Sequence, residues 1–207
     1  MKLIRTLPLH AMISVLGLVA LRMLLHQSLH FGFLVWNLFL AALPLLLARA
    51  ANSRQSLRQG VALSLIWLLL FPNAAYLVTD IVHLRIIPGP LFWLDLILLF
   101  SAGLLGIALS VQSLFEIERF YSRFLNPHWI RILSVAVLIL SGYGIYLGRV
   151  ERWNSWDPLL QPFALLRDIF NDFRHPFRNR EAWQLTAVFA FLQLGSYFFM
   201  RNRNLKH

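Results

Sequence analysis

Six apolar runs, each close to the length a helix needs to cross a bilayer, constrain this chain more than any other feature. They are Pro8–Leu25, Leu29–Leu47, Gly60–Leu84, Leu91–Leu114, Ile130–Leu147 and Ala182–Met200. A hydrocarbon core about 30 Å thick takes ~20 residues of α-helix, and within it every backbone polar group must be satisfied inside the protein. The runs are continuous, where a membrane barrel would show short alternating segments. The expected fold is an all-α polytopic membrane protein of about six transmembrane helices. It forms a single domain over residues 1–207, because no repeat, linker or low-complexity stretch divides it. Met1-Lys-Leu-Ile-Arg5 resembles the start of a signal peptide, but the run after it is long and ends in no small-residue cleavage site, so it is read as the first span. Arg22, one turn from the end of that span, is expected to snorkel to the headgroups.

Charge supports the same class. Only 14% of the residues are charged against 58% hydrophobic, which excludes a disordered chain and disfavours an ordinary soluble domain. The 19 basic and 9 acidic residues leave +10, a balance that in a soluble chain would suggest nucleic acid. Here the basic residues sit between apolar runs, where they set topology, and no nucleic-acid partner is expected. With the N-terminus inside, Lys2, Arg5, Arg49, Arg54, Arg58, Arg119, Arg123, Arg131, Arg201, Arg203 and Lys206 all fall in inner segments. That is 11 of the 19, so both termini are expected in the cytoplasm. There is no cysteine, which excludes disulfides, thiol catalysis and thiolate metal sites.

The connection from Gly148 to Glu181 is the only sizeable piece between spans. Within it, Leu159, Phe163, Leu166, Phe170 and Phe173 share one helical face. Asp157 and Pro158 suit the start of that helix. Such a helix either lies in the membrane interface or packs its apolar face against the bundle.

Ionisable residues inside spans are costly and are functional candidates by default. Asn73, Tyr76, Asp80 and His83 are spaced three, four and three apart, which puts them on one face of a helix continuing past a bend at Pro72. Asp95 follows the Pro88-Gly89-Pro90 corner, and Arg149, Glu151, Arg152, Trp153, Asn154, Ser155, Trp156 and Asp157 come straight after the fifth span. The topology places all of these on the outer side, where each group supplies hydrogen-bond partners to the other.

Phe71-Pro-Asn-Ala-Ala-Tyr76-Leu-Val-Thr-Asp80-Ile-Val-His83-Leu, with Arg149 and Arg152-Trp-Asn-Ser-Trp-Asp157, resembles the bacterial membrane family known as domain of unknown function 1361. The resemblance runs over nearly the whole chain. It implies a multi-pass bacterial membrane protein and brings no established activity, substrate or cofactor; the charge pattern and span order lead to the expectation of the bacterial inner membrane.

Chemistry therefore rests on the residues. Asp80 and His83 at i, i+3, joined by Asp95 or Asp157, form a mixed oxygen and nitrogen donor set for a divalent metal such as Zn²⁺ or Mn²⁺, which would activate water. Without metal, Asp80, His83 and Asp157 are the candidate acid–base groups. Asn73, Tyr76, Arg149, Arg152, Asn154 and Trp156 are candidates for holding a substrate. Each has a structural alternative: Asp80 pairing with Arg85 or Arg149, the arginines pairing with acids, the tryptophans anchoring at the interface. His26 and His30 at i, i+4 form a weaker metal pair, and Glu116, Glu118, Arg119 and Arg123 read as a solvated inner helix end. The functional expectation is a membrane enzyme acting on a lipid or lipid-linked substrate at an outward-facing polar pocket. A small transporter and a non-catalytic scaffold are the alternatives. Polar residues gathered at one surface, with almost none in spans one, two, five and six, favour the first over transport.

Overall fold

The computed structural model of the chain describes residues 2–26, 29, 31–85 and 91–204, and their side chains apart from 2–8, 26, 85 and 204. The Pro88-Gly89-Pro90 corner, His30 and the side chains of His26 and Arg85 lie outside the described residues. The helices are α1 (Lys2–His26), α2 (Gly32–Asn52), α3 (Leu57–Leu70), α4 (Pro72–Tyr76), α5 (Phe92–Tyr121), α6 (Pro127–Arg149), α7 (Asp157–Leu160), α8 (Pro162–Arg174) and α9 (Arg180–Asn204). A 3-10 helix, Leu77–Arg85, continues α4, and no strand occurs among the described residues. The described parts of the six apolar runs fall almost entirely on helix. Among the described residues, four segments are long and apolar enough to cross a membrane: α2, Leu57–Val82, α5 and α6. In α1 the apolar part is the shorter Leu9–Leu25. α9 carries Gln184, Thr186, Gln193 and Ser196 among its apolar residues and is not one of the four. The architecture is that of an all-α polytopic membrane protein.

α5 is the central post, the most enclosed of the four segments, and α1, α2, α4, the 3-10 helix, α6 and α9 all pack on it. Leu34, Leu38, Ala41, Leu77, Leu98, Ala102 and Leu105 fill the space it shares with α2 and the 3-10 helix. Small residues set how close the helices come. A side chain at Gly106 would run into the Ala74 carbonyl oxygen, and one at Gly142 would stand 2.6 Å from the Thr186 carbonyl oxygen of α9. Small residues at such positions let helix backbones approach closely.

Pro72 does more than bend the third span. α3 stops at Leu70 and α4 restarts with Pro72 in its first turn, where a missing N–H costs nothing. Beyond Tyr76 the winding tightens to nine residues of 3-10 helix, longer than such helices usually run. Side chains support it: Thr79 Oγ1 donates to the Tyr76 carbonyl at 2.7 Å, and Arg149 Nη2 donates to the Thr79 carbonyl at 3.1 Å.

Three expectations are corrected. Arg22 does not snorkel; it is 1% exposed and holds the buried Asp95 carboxylate through both Nε and Nη2. The end of α5 that carries Glu116 and Glu118 is not merely solvated. Glu116 accepts from Asn52 and Arg119, each at 2.7 Å, and Glu118 accepts from Ser134 and Tyr197, each at 2.6 Å, and from Arg201 at 3.1 Å. Asp157 and Pro158 open only the short α7, because Pro162 breaks the helix and starts α8. The Arg22–Asp95 and Arg201–Glu118 pairs, at opposite ends of α5, also put the start of α1 and the end of α9 at the same end of the bundle.

Replacing Arg22 with Met leaves Asp95 as a buried unpaired carboxylate. The expected loss is about 3–5 kcal/mol, read as a lower midpoint of thermal unfolding in detergent. The double change Arg22→Met with Asp95→Leu is expected to recover most of it.

Candidate functional site

Two stretches far apart in sequence, α4 with its 3-10 continuation and the turn after α6, meet at the end of the bundle away from the termini. Asn73 and Ser155 exchange hydrogen bonds, Nδ2 donating to Oγ at 3.1 Å and Oγ donating to Oδ1 at 3.2 Å. Arg149, the last residue of α6, lies over the Tyr76 ring with its guanidinium 5.5 Å from the ring centre. It donates to the Tyr76 hydroxyl at 3.1 Å besides the Thr79 carbonyl. Arg152 takes a left-handed φ of 61°, uncommon for a side-chain-bearing residue, and turns the chain back so that Trp153 N–H donates to the Leu147 carbonyl at 3.0 Å. That reversal brings Asn154 and Ser155 beside Asn73.

Asp80 lies behind this contact, wholly enclosed. Its Oδ2 accepts from Asn37 Nδ2 of α2 at 2.8 Å. Its Oδ1 has no hydrogen-bond partner among the described residues, and Arg149 Nη1 stands 3.7 Å and His83 Nε2 4.0 Å from it. His83 packs its ring on Phe33 with centres 4.3 Å apart.

In front of the contact lies a half-open cleft of about 410 Å³ between α2, α3, α4, α6 and the following turn. Leu40, Leu68, Leu69, Leu140 and Leu147 line its apolar part, and Asn37, Asn73, Tyr76, Asn154 and Ser155 its polar part. Trp36, Trp153 and Trp156 also face it. Among the described residues, no Asp, Glu, His, Lys or Arg lines it.

The structure thus brings together Asn73, Tyr76, Asn154 and Trp156 at the cleft, with Asp80, His83 and Arg149 directly behind. It does not bring in Asp95, which Arg22 holds elsewhere, nor Arg152, which is exposed and outside the lining. Asp157 is turned to its own loop, accepting from Asn154 N at 2.6 Å and Asn154 Nδ2 at 3.1 Å. The expected metal trio of Asp80, His83 and Asp95 is therefore not assembled, and no group of three His, Asp or Glu placed to hold a metal occurs among the described residues. The cation of Arg149 faces the same Asp80 oxygen that would serve a metal, which makes the donor set a poor fit.

Asn37 was missed as a site residue. Its signal was an amide in the middle of the second apolar run, a group that must find a partner in the bilayer. Trp36, Ser141, Tyr143 and Ser155 are among the further lining residues that were not assigned.

The family model described as "Protein of unknown function (DUF1361)" matches residues 36–195, which include the described residues that line the cleft. No curated protein and no solved structure matches.

Asn37→Leu removes a hydrogen bond from an enclosed carboxylate, with an expected cost of about 1–3 kcal/mol in unfolding free energy. Asn73→Ala, at a half-buried pair, is expected to cost about 0.5–1.5 kcal/mol. Denaturant unfolding of both variants in the same detergent checks the order.

Proposed function

The chain belongs to the family of proteins of unknown function 1361, and from its site we propose that it is a bacterial inner-membrane protein that binds a lipid or lipid-linked molecule in the cleft beside α4 and α6. The observation that carries this reading is the two-part lining. A chain of apolar carbons lies along Leu40, Leu68, Leu69, Leu140 and Leu147, while Asn73, Asn154, Ser155 and the Tyr76 hydroxyl meet a polar head. A volume of about 410 Å³ falls within the range of small-ligand pockets, roughly 300–1,000 Å³.

The lining narrows the head. With no charged side chain facing the cleft among the described residues, hydroxyls and amides are the groups it suits, and the three tryptophans offer faces for the apolar side of such a head. Arg149 is not a free anion receptor in this reading, because Tyr76, Thr79 and Asp80 already occupy its guanidinium. Arg152 and Asp157 serve the turn that carries Asn154 and Ser155.

The bias of basic residues supports a topology with both termini in the cytoplasm and the cleft on the outer side of the inner membrane. The apolar residues that fill the space between α2 and α5, among them Leu98, Leu99, Ala102 and Leu105, support binding over a transport route. Turnover of the bound molecule is the less supported half. It would give His83 the proton transfer, with Asp80 positioning it, and neither lines the cleft. A divalent metal has no part in this reading.

Leu140 is exposed and lines the cleft, so Leu140→Trp is expected to fill it without disturbing the core; Leu133, exposed two turns earlier on α6 and outside the lining, is the control. Mass spectrometry of lipid retained through purification is expected to find a bound species in the wild type and in Leu133→Trp, largely lost in Leu140→Trp. Equal retention in all three would contradict the reading.

A further inference from the structure

α8 is amphipathic in an unusual setting. At about 100° per residue, its residues fall into three sectors. Asp172 and Leu165 face the bundle: Asp172 is buried and accepts from the Tyr143 hydroxyl of α6 at 2.7 Å and from Asn179 Nδ2 at 2.7 Å, and Leu165 lines the cleft. Phe163, Leu166, Phe170 and Phe173 form the adjoining sector and remain largely exposed, 59–86% each. Arg167, Asn171 and Arg174 occupy the remaining side, all exposed. A helix whose polar residue is tied to the protein and whose aromatic face is turned away from it is arranged for surroundings that are apolar on one side and aqueous on the other.

We propose that α8 lies on a phospholipid leaflet and that its arginines select anionic headgroups. Two observations name the occupant. The apolar sector is continuous with lipid-facing surface, since Phe173 packs against Trp183 of α9 with ring centres 4.9 Å apart, and Val188 and Phe191 further along α9 are exposed. The charge is complementary, because Arg167 and Arg174 flank that sector on α8, the exposed Arg178 and Arg180 follow the helix, Asp172 is occupied internally and Asp168 sits beside Arg167 at 3.9 Å. Basic side chains at a leaflet surface gain from acidic lipid over neutral lipid. The Tyr143–Asp172 bond fixes the depth at which the helix rides against α6. This inference does not depend on what the cleft binds.

The absence of native cysteine makes the test direct. Single-cysteine chains Phe163→Cys, Phe170→Cys and Asn171→Cys, labelled with an environment-sensitive fluorophore, are placed in nanodiscs of phosphatidylcholine with and without phosphatidylglycerol. Labels at 163 and 170 are expected to emit at shorter wavelength and to be quenched by nitroxide on the lipid tails, whereas the label at 171 is quenched by aqueous iodide. Phosphatidylglycerol is expected to increase tail quenching at 163 and 170, and Arg174→Glu with Arg178→Glu to abolish that increase. Iodide quenching at 163 and 170 equal to that at 171 would overturn the proposal. So would an emission shift that appears in detergent and grows with protein concentration, which would mark a second copy of the chain as the occupant. An unchanged response to phosphatidylglycerol would overturn the anionic selection.

Discussion

A carboxylate inside a membrane bundle must be satisfied by the protein itself, and the enclosed Asp80 imposes that demand on three elements at once. The 3-10 helix presents it, α2 reaches it with the Asn37 amide, and α6 ends in the arginine that stands beside it. Because Arg149 also holds the Tyr76 hydroxyl and the Thr79 carbonyl, the polar end of α4 and the turn after α6 are fixed relative to each other. The cleft is the space left in front of that junction. Its polar lining is a by-product of the same arrangement: Asn37 bonds inward to Asp80 and Tyr76 to Arg149, and both show their remaining surface to the cleft.

Charge is distributed around α5 by the same rule. At one end Asp95 is met by Arg22, and at the other Glu116 and Glu118 are met by Asn52, Arg119, Ser134, Tyr197 and Arg201. Each acid of this central helix is thus answered by a different neighbour, so the pairs select which helix stands where. The apolar contacts along α5 are less discriminating, being largely leucine and alanine on every side.

Much of this was legible in the sequence, and the part that was not has a common cause. Continuous apolar runs identify spans because the bilayer sets their length, and the runs fall on helices as expected. The meeting of the Asn73–His83 stretch with the Arg149–Asp157 stretch followed from counting arginines and placing both on one side. What escaped is pairing between spans. Arg22 looked like a snorkelling end residue and Asp95 like a ligand for Asp80, because neither periodicity nor topology says which two helices are neighbours. Asn37 and Glu118 were hidden for the same reason. The tightening of the helix after Tyr76 was equally unreadable: it depends on Arg149, contributed from 70 residues away, to occupy the Thr79 carbonyl.

The central claim is that Asp80 and Arg149 act as one unit joining the third span to the end of α6. A double-mutant cycle with Asp80→Asn, Arg149→Gln and the double variant, read by denaturant unfolding in nanodiscs or a single detergent, measures it most directly. An interaction energy of about 0.5–3 kcal/mol, with the double variant less damaged than the sum of the two single changes, is the predicted result. Additive losses, or no loss from Arg149→Gln, would contradict it.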